Sequence, residues 1–106
     1  MMGGRNRRGE QYVAVLMVHD SPGGTQEQYD QVGARLAKSG GFNSLNDWPE
    51  GILSHAAGPT DDGWRVVDVW ESEEAFQRFG EVIGPVLQEV GFPGEPKLFP
   101  LHNFVK

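Results

Sequence analysis

Cysteine is absent from the 106-residue chain, which excludes a disulfide framework, a zinc-thiolate site and a cysteine nucleophile. Nothing in the composition points to an oxidising compartment, so the cytoplasm is the expected location. Positive charge is scarce. Nine Lys and Arg stand against fifteen Asp and Glu, and three of the nine, Arg5, Arg7 and Arg8, crowd the N-terminus. From Gly9 onward six basic residues face fifteen acidic ones, which argues against nucleic acid and anionic membranes as partners. Long apolar runs are missing too. The longest, "YVAVLMV", is far shorter than the roughly 20 residues that span a bilayer, and it leads into "HDSPGG" without a small-residue cleavage site. No G-x-G-x-x-G, Walker loop or G-x-S-x-G motif occurs, and no local ligand spacing of a zinc or iron motif is present. No cofactor and no metal is therefore expected, and serine hydrolysis has no support.

What is present fits one domain with a modest core. "MMGGRNRRGEQ" is polar, glycine-rich and basic, so residues 1–11 read as a disordered leader before a single domain over 12–106. Tyr12 to His19 is apolar at both parities and predicts a first strand covered on both faces, broken by "DSPGG". Thr25 with Gln28 forms a capping box, and Tyr29, Val32, Gly33 and Leu36 follow at helical spacing, which predicts a helix over 26–38. The loop "SGGFNSLNDWPE" carries Phe42, Leu45 and Trp48, which either pin it to the core or form a lid over a pocket. Strands over 52–59 and 64–71 flank "TDDG", a hairpin signal with aspartate and glycine suited to positive φ. Ser72 caps a second, longer helix. Its apolar stripe includes Phe76, Phe79, Ile83 and Leu87; Pro85 should kink or interrupt it, and Gly91 should end it. "KLFPLHNFV", 97–105, reads as a last strand whose Pro100 suits a sheet edge.

The order β-α-β-β-α-β predicts an α+β, ferredoxin-like fold, a four-stranded antiparallel sheet with two helices on one face. Alternation within "GWRVVDVWESEEAF" puts Trp64, Val66, Asp68 and Trp70 on one face of the third strand and Val67 and Val69 on the other. If the tryptophan face is the helix-free one, a large apolar patch is left in water. A second copy laid sheet against sheet removes it, giving a homodimer with a cavity between the sheets that Asp68 lines.

The junction "DVWESEEAF", in a chain of this length with one such unit, resembles the dimeric α+β barrel superfamily, in particular its antibiotic biosynthesis monooxygenase-like branch. The resemblance extends over about Tyr12 to Val105. It implies a homodimer that binds a small apolar ligand. The activities it brings are cofactor-independent oxygenation of aromatic polyketides, haem degradation, lactone isomerisation and cyclisation, alongside members with no known activity. In the oxygenase-like and haem-degrading members a tryptophan matching Trp70 lines the pocket. The haem-degrading members also place an axial histidine about ten residues further on, where this chain has "RFGE", 78–81, and no histidine. That departure argues against haem degradation.

The residues that can carry chemistry are few. Asp68 is the candidate general base or hydrogen-bond acceptor, or else a carboxylate held by a structural partner. Trp70, Trp64 and Val66 share its face and are candidate walls of a substrate site. His19, His55 and His102 stand at strand positions. If Asp62 and Gly63 alone form the hairpin turn, His55 falls opposite Trp70 on the Asp68 face; if Asp61 joins the loop, Ser54 and Ala56 take that place. The sequence leaves both registers open. His55 beside Asp68 would be an acid/base pair working near neutral pH. His102 and Asn103 point to opposite faces, so one of them enters the cavity, His102 to relay a proton or Asn103 to bind a substrate carbonyl. The leading expectation is a cofactor-independent monooxygenase acting on an apolar aromatic or polyketide-like molecule. The alternatives are an isomerase or cyclase using the same base, and a non-catalytic ligand-binding or dimerisation protein.

Overall fold

The computed structural model describes residues 3–5, 11–36 and 48–105. Two short strands, β1 (Gly3–Arg5) and β2 (Gln11–Val13), pair antiparallel as a separate ladder. The rest of the expected leader lies outside the described residues, as do Phe42 and Leu45. The main unit is β3 (Val15–Pro22), α1 (Gln26–Leu36), β4 (Ile52–Pro59), β5 (Gly63–Trp70), α2 (Glu73–Val90) and β6 (Pro96–Pro100). Its four strands form one antiparallel sheet in the order β4-β5-β3-β6. This is the ferredoxin-like α+β arrangement that the order of elements predicts.

Local chemistry sets the helix ends. The Thr25 and Gln28 side chains each accept from the other's backbone N–H at 3.1 Å, the reciprocal capping box that starts α1. Ser72 Oγ accepts from the Ala75 N–H at 3.1 Å and starts α2. Gly91 ends α2 at φ 80°, a left-handed conformation open to glycine without penalty, and its N–H donates to the Leu87 carbonyl. Pro85 does not interrupt α2, which runs as one helix through it. A proline inside a helix removes one hydrogen bond, and here the wide apolar stripe on both sides of Pro85 holds the flanking turns against the sheet. Two polar contacts tie the helices together: Arg35 pairs with Glu89 at 3.1 Å, and Gln28 Nε2 donates to the Gly91 carbonyl at 3.3 Å.

Strand boundaries move at both ends of the chain. "DSP" does not break the first strand, because β3 continues in register with β5 as far as Pro22, opposite Gly63. Asp20, directly across from Arg65, accepts two hydrogen bonds from its guanidinium, which holds the Asp20 carboxyl below the usual carboxylate range. The last strand is shorter than expected. Only Pro96–Pro100 pairs, at the sheet edge where Pro100 breaks no inner ladder, and 101–105 lie beyond it.

The faces of the sheet are opposite to the expected assignment. Trp64, Val66 and Trp70 lie in one core cluster with Val32 of α1 and Ala75 and Phe79 of α2, so this face is the helix-covered one. Trp70 is fully buried against Phe76 and Phe79, with ring centroids 5.7 Å and 5.3 Å away. The helix-free face carries Leu16, Val18, Val67, Val69 and Phe99. Phe99 is 46 % exposed. The cavity placed between two sheets thus gives way to one between sheet and helices of a single chain.

Gly63 is required by closeness rather than by φ. None of the described non-glycine residues has a positive φ, and Gly63 has none either, so the Asp61–Asp62 turn is not the mirror-image type that the aspartate–glycine signal suggested. A Cβ on Gly63 would lie 2.0 Å from the Ser21 carbonyl oxygen and 2.8 Å from the Gly23 nitrogen, backbone atoms that cannot swing aside. Gly63→Ala should therefore cost about 1–3 kcal/mol in urea denaturation. Gly58→Ala, in the same hairpin with open space around the added methyl, should stay within about 0.5 kcal/mol of the parent.

Candidate functional site

The β4–β5 hairpin decides the site. Pro59 faces Trp64, Ala57 faces Val66, and His55 faces Asp68 directly. Neither register considered from the sequence is adopted. The turn is Asp61–Asp62, closed by the Thr60 N–H donating to the Gly63 carbonyl at 3.0 Å, and Gly63 joins the strand. A register irregularity between Ile52 and Ser54 then sets Ile52 opposite Trp70 and returns it to the core.

Opposed residues on an antiparallel pair share a face, so His55 and Asp68 both point toward the helices. His55 Nδ1 lies 2.6 Å from Asp68 Oδ1, and the Trp70 indole N–H donates to Asp68 Oδ2 at 3.1 Å. On the other side of the imidazole, Nε2 lies 2.5 Å from the Tyr29 hydroxyl of α1. A carboxylate only accepts, so its bond to Nδ1 fixes the proton there and leaves Nε2 of the neutral ring as the acceptor of the Tyr29 O–H. The result is one directed chain, Tyr29 to His55 to Asp68, with Trp70 as second donor to the carboxylate. Asp68 is 1 % exposed, and its two donors satisfy both oxygens in a place where an unpaired charge is costly.

Aromatic rings hold the chain in place. The Tyr29 and His55 rings lie nearly parallel, 5° between planes and 5.9 Å between centroids, with the hydroxyl aimed at Nε2. Trp48 lies 4.2 Å from the His55 ring and 5.5 Å from Phe79, so of the loop's three apolar residues the described one turns inward over the imidazole. Burial raises the Tyr29 phenol to about 12, and the nearby Asp68 and Asp30 charges add to the effect by opposing a tyrosinate.

The chain opens onto a cavity between sheet and helices with an empty volume of about 500 Å³, part of it open to solvent. Met17 and Val66 belong to its sheet side, Phe76, Phe79, Ile83 and Leu87 to its α2 side. Tyr29, His55 and Asp68 reach it, and so does His19, whose Nε2 lies 3.0 Å from the Pro93 carbonyl oxygen. Such a site can bury a flat apolar ligand and present it with a relayed proton acceptor.

The sequence-selected residues separate on this map. Asp68, His55, Val66 and His19 line the cavity. Trp70 is not among the lining residues and supports Asp68 from behind; Trp64 packs on Tyr29 with 5.5 Å between ring centroids. His102 and Asn103 are exposed beyond β6, away from the lining residues. Tyr29 is hidden in the sequence because its spacing fits the helix stripe. A hydroxyl on an otherwise apolar stripe was the available signal.

No protein-family model matches the chain, and no curated protein matches it significantly. Among solved structures it is similar to SnoaB, a cofactor-independent oxygenase from Streptomyces nogalater, at 20 % identity and a TM-score of 0.59 over 88 % of this chain and 97 % of that one. A point mutant of SnoaB aligns at 18 % identity and a TM-score of 0.55, over 87 % and 95 % of the two chains. The shared feature is the ferredoxin-like α+β fold.

The raised Tyr29 phenol has a consequence for alkaline stability. The unfolded tyrosine ionises near pH 10 and the folded one near 12, so between these values the unfolded state binds fewer protons and stability falls as pH rises. The urea midpoint should fall more steeply between pH 10 and 12 in the parent than in Tyr29→Phe.

Proposed function

We propose that the protein is a cofactor-independent monooxygenase acting on an apolar aromatic substrate with an acidic hydroxyl, with His55 as the base and Tyr29 as the proton carrier between them. The observation that carries this reading is the Tyr29–His55–Asp68 chain ending in an otherwise apolar cavity. The fold shared with a cofactor-independent oxygenase is in keeping with it. So is the volume left open beneath Trp48, which a barrel filled by its own side chains would lack.

The proton moves inward. The Tyr29 hydroxyl donates its proton to His55, so it meets the substrate O–H as an acceptor, through its oxygen. As that proton reaches the Tyr29 oxygen, the Tyr29 proton passes to His55 Nε2, and the imidazolium is balanced by Asp68. Tyr29 never has to hold a full charge, which its raised pKa disfavours. The deprotonated substrate gives an electron to dioxygen and combines with the superoxide formed, making a carbon–oxygen bond. His55 returns the proton through Tyr29 to the peroxide, and loss of the C–H proton with departure of water leaves a new carbonyl. One oxygen atom enters the product and the other leaves as water, so no external reductant is needed. The apolar walls keep bulk water from quenching the anion.

We further propose a cytoplasmic homodimer joined through the helix-free face, where the half-buried Leu16, Val18 and Val67 and the exposed Phe99 form an apolar patch. The absence of cysteine supports the compartment. Among the described residues no helix is long and apolar enough to cross a membrane. Sedimentation should give twice the chain's 11.7 kDa, and Val67→Asp should halve it.

The catalytic reading is tested with hydroxylated naphthalenes and anthrones by calorimetry and an oxygen electrode. Asp68→Asn and His55→Phe should each lower oxygen uptake about 100-fold or more while ligand affinity changes less than about threefold. Unchanged uptake in both variants, or turnover of substrate without oxygen consumption, would sink the oxygenase assignment.

A further inference from the structure

The cavity holds a second polar group that the relay does not use. His19 lines it at 6 % exposure, and its ring is fixed from outside. The Pro93 carbonyl, 3.0 Å from Nε2, can only accept, so Nε2 carries the proton and Nδ1 of the neutral ring is left as an acceptor. Among the described residues no hydrogen bond to Nδ1 is made. Phe92 packs against the ring, 5.4 Å between centroids at 58°. The turn presenting Pro93 has little freedom to withdraw. Gly94 sits at φ 90°, and a Cβ there would lie 2.1 Å from the Asp20 carbonyl oxygen and 3.2 Å from His19 Nε2. A backbone packed this closely is a rigid mount for a buried imidazole.

Its position relative to the relay follows from the register. His19 is opposite Val66, and Asp68 lies between His55 and Met17 across the sheet. His19 and His55 are therefore two strands and one alternation step apart, about 12 Å between Cα atoms from ordinary strand spacing and rise. Met17 and Val66 form the apolar floor between them. Tyr29 and His19 line the same cavity, so a planar ligand on that floor with one hydroxyl at Tyr29 has His19 within the same enclosure for its other end.

We infer that His19 is a specificity-determining residue of this pocket, selecting aromatic ligands whose far end carries a second hydroxyl that donates to Nδ1. The inference rests on the pocket reading above and adds to it a preference for two-ended, dihydroxylated substrates. A buried acceptor left unpaired disfavours a ligand without that hydroxyl, while the same ligand can still meet Tyr29.

Calorimetry with 2-naphthol and 2,6-dihydroxynaphthalene tests this. The parent should bind the diol about tenfold more tightly, and His19→Phe should bind both compounds alike, with 2-naphthol affinity kept. His19→Asn, which retains a side-chain acceptor, should recover part of the preference. A readout in the unmutated protein guards against a folding defect: the Nδ1 ¹⁵N resonance of His19 should move on adding the diol and stay in place with 2-naphthol. Equal affinities in the parent, or an unmoved resonance with the diol bound, overturn the inference while leaving the relay intact. Loss of oxygen uptake in Asp68→Asn with the diol preference unchanged supports both readings separately. Failure of both compounds to bind overturns both.

Discussion

The buried carboxylate of Asp68 is the constraint around which the rest is arranged. It lies on the helix-covered face, where an ion without partners would cost several kcal/mol, and among the described residues its donors are the His55 imidazole and the Trp70 indole. Trp70 is two residues along the same strand, so its contribution is set by β5 alone. His55 comes from the neighbouring strand, and its contribution depends on the β4–β5 register. A slip by one residue would send His55 to the helix-free face and leave Asp68 with one donor. The Asp61–Asp62 turn and the irregularity near Ile52 allow His55 to meet Asp68 while Ile52 still reaches the core.

From that pair outward, each layer limits the next. The imidazole, tied at Nδ1, offers only Nε2 to α1, and the first inward residue of α1 that can reach it is Tyr29. The α1 capping box and the Gln28 contact to the end of α2 place Tyr29 along the sheet. Trp48 and Tyr29 cover the imidazole on their sides, and α2 supplies the apolar wall. The cavity therefore sits between Phe79 and the floor of Met17 and Val66. Core and cavity share the same face: Trp64 and Trp70 fill the core and support Tyr29 and Asp68, while the cavity is the volume that the core leaves empty.

The relation between sequence and site is clearest at particular residues. Asp68 is conspicuous in the sequence because a carboxylate interrupts an apolar alternation, and in the fold it lines the cavity beside His55. Strand parity makes Trp70 a candidate wall, yet it stands behind the carboxylate, since the direction of an indole N–H is not encoded in strand parity. Tyr29 was hidden by a spacing that fits a helix stripe. Gly63 signalled a hairpin correctly, but for closeness to the Ser21 backbone rather than for a positive φ. His102 and Asn103 were read from a strand that ends sooner, at Pro100.

The chain alone determined the order of its elements, the caps at Thr25, Ser72 and Gly91, and the grouping of Trp64, Val66, Asp68 and Trp70 on one side of a strand. Those features depend on neighbours within a few residues, where side-chain period and backbone chemistry act directly. Only the tertiary structure decided which side of the sheet the helices cover, which residue faces Asp68, and that the cavity lies inside one chain. Both sides of the central strands are apolar enough to be buried, so the choice between them rests on packing against Phe76 and Phe79. A hairpin register, likewise, is settled by contacts along its whole length rather than by its turn alone.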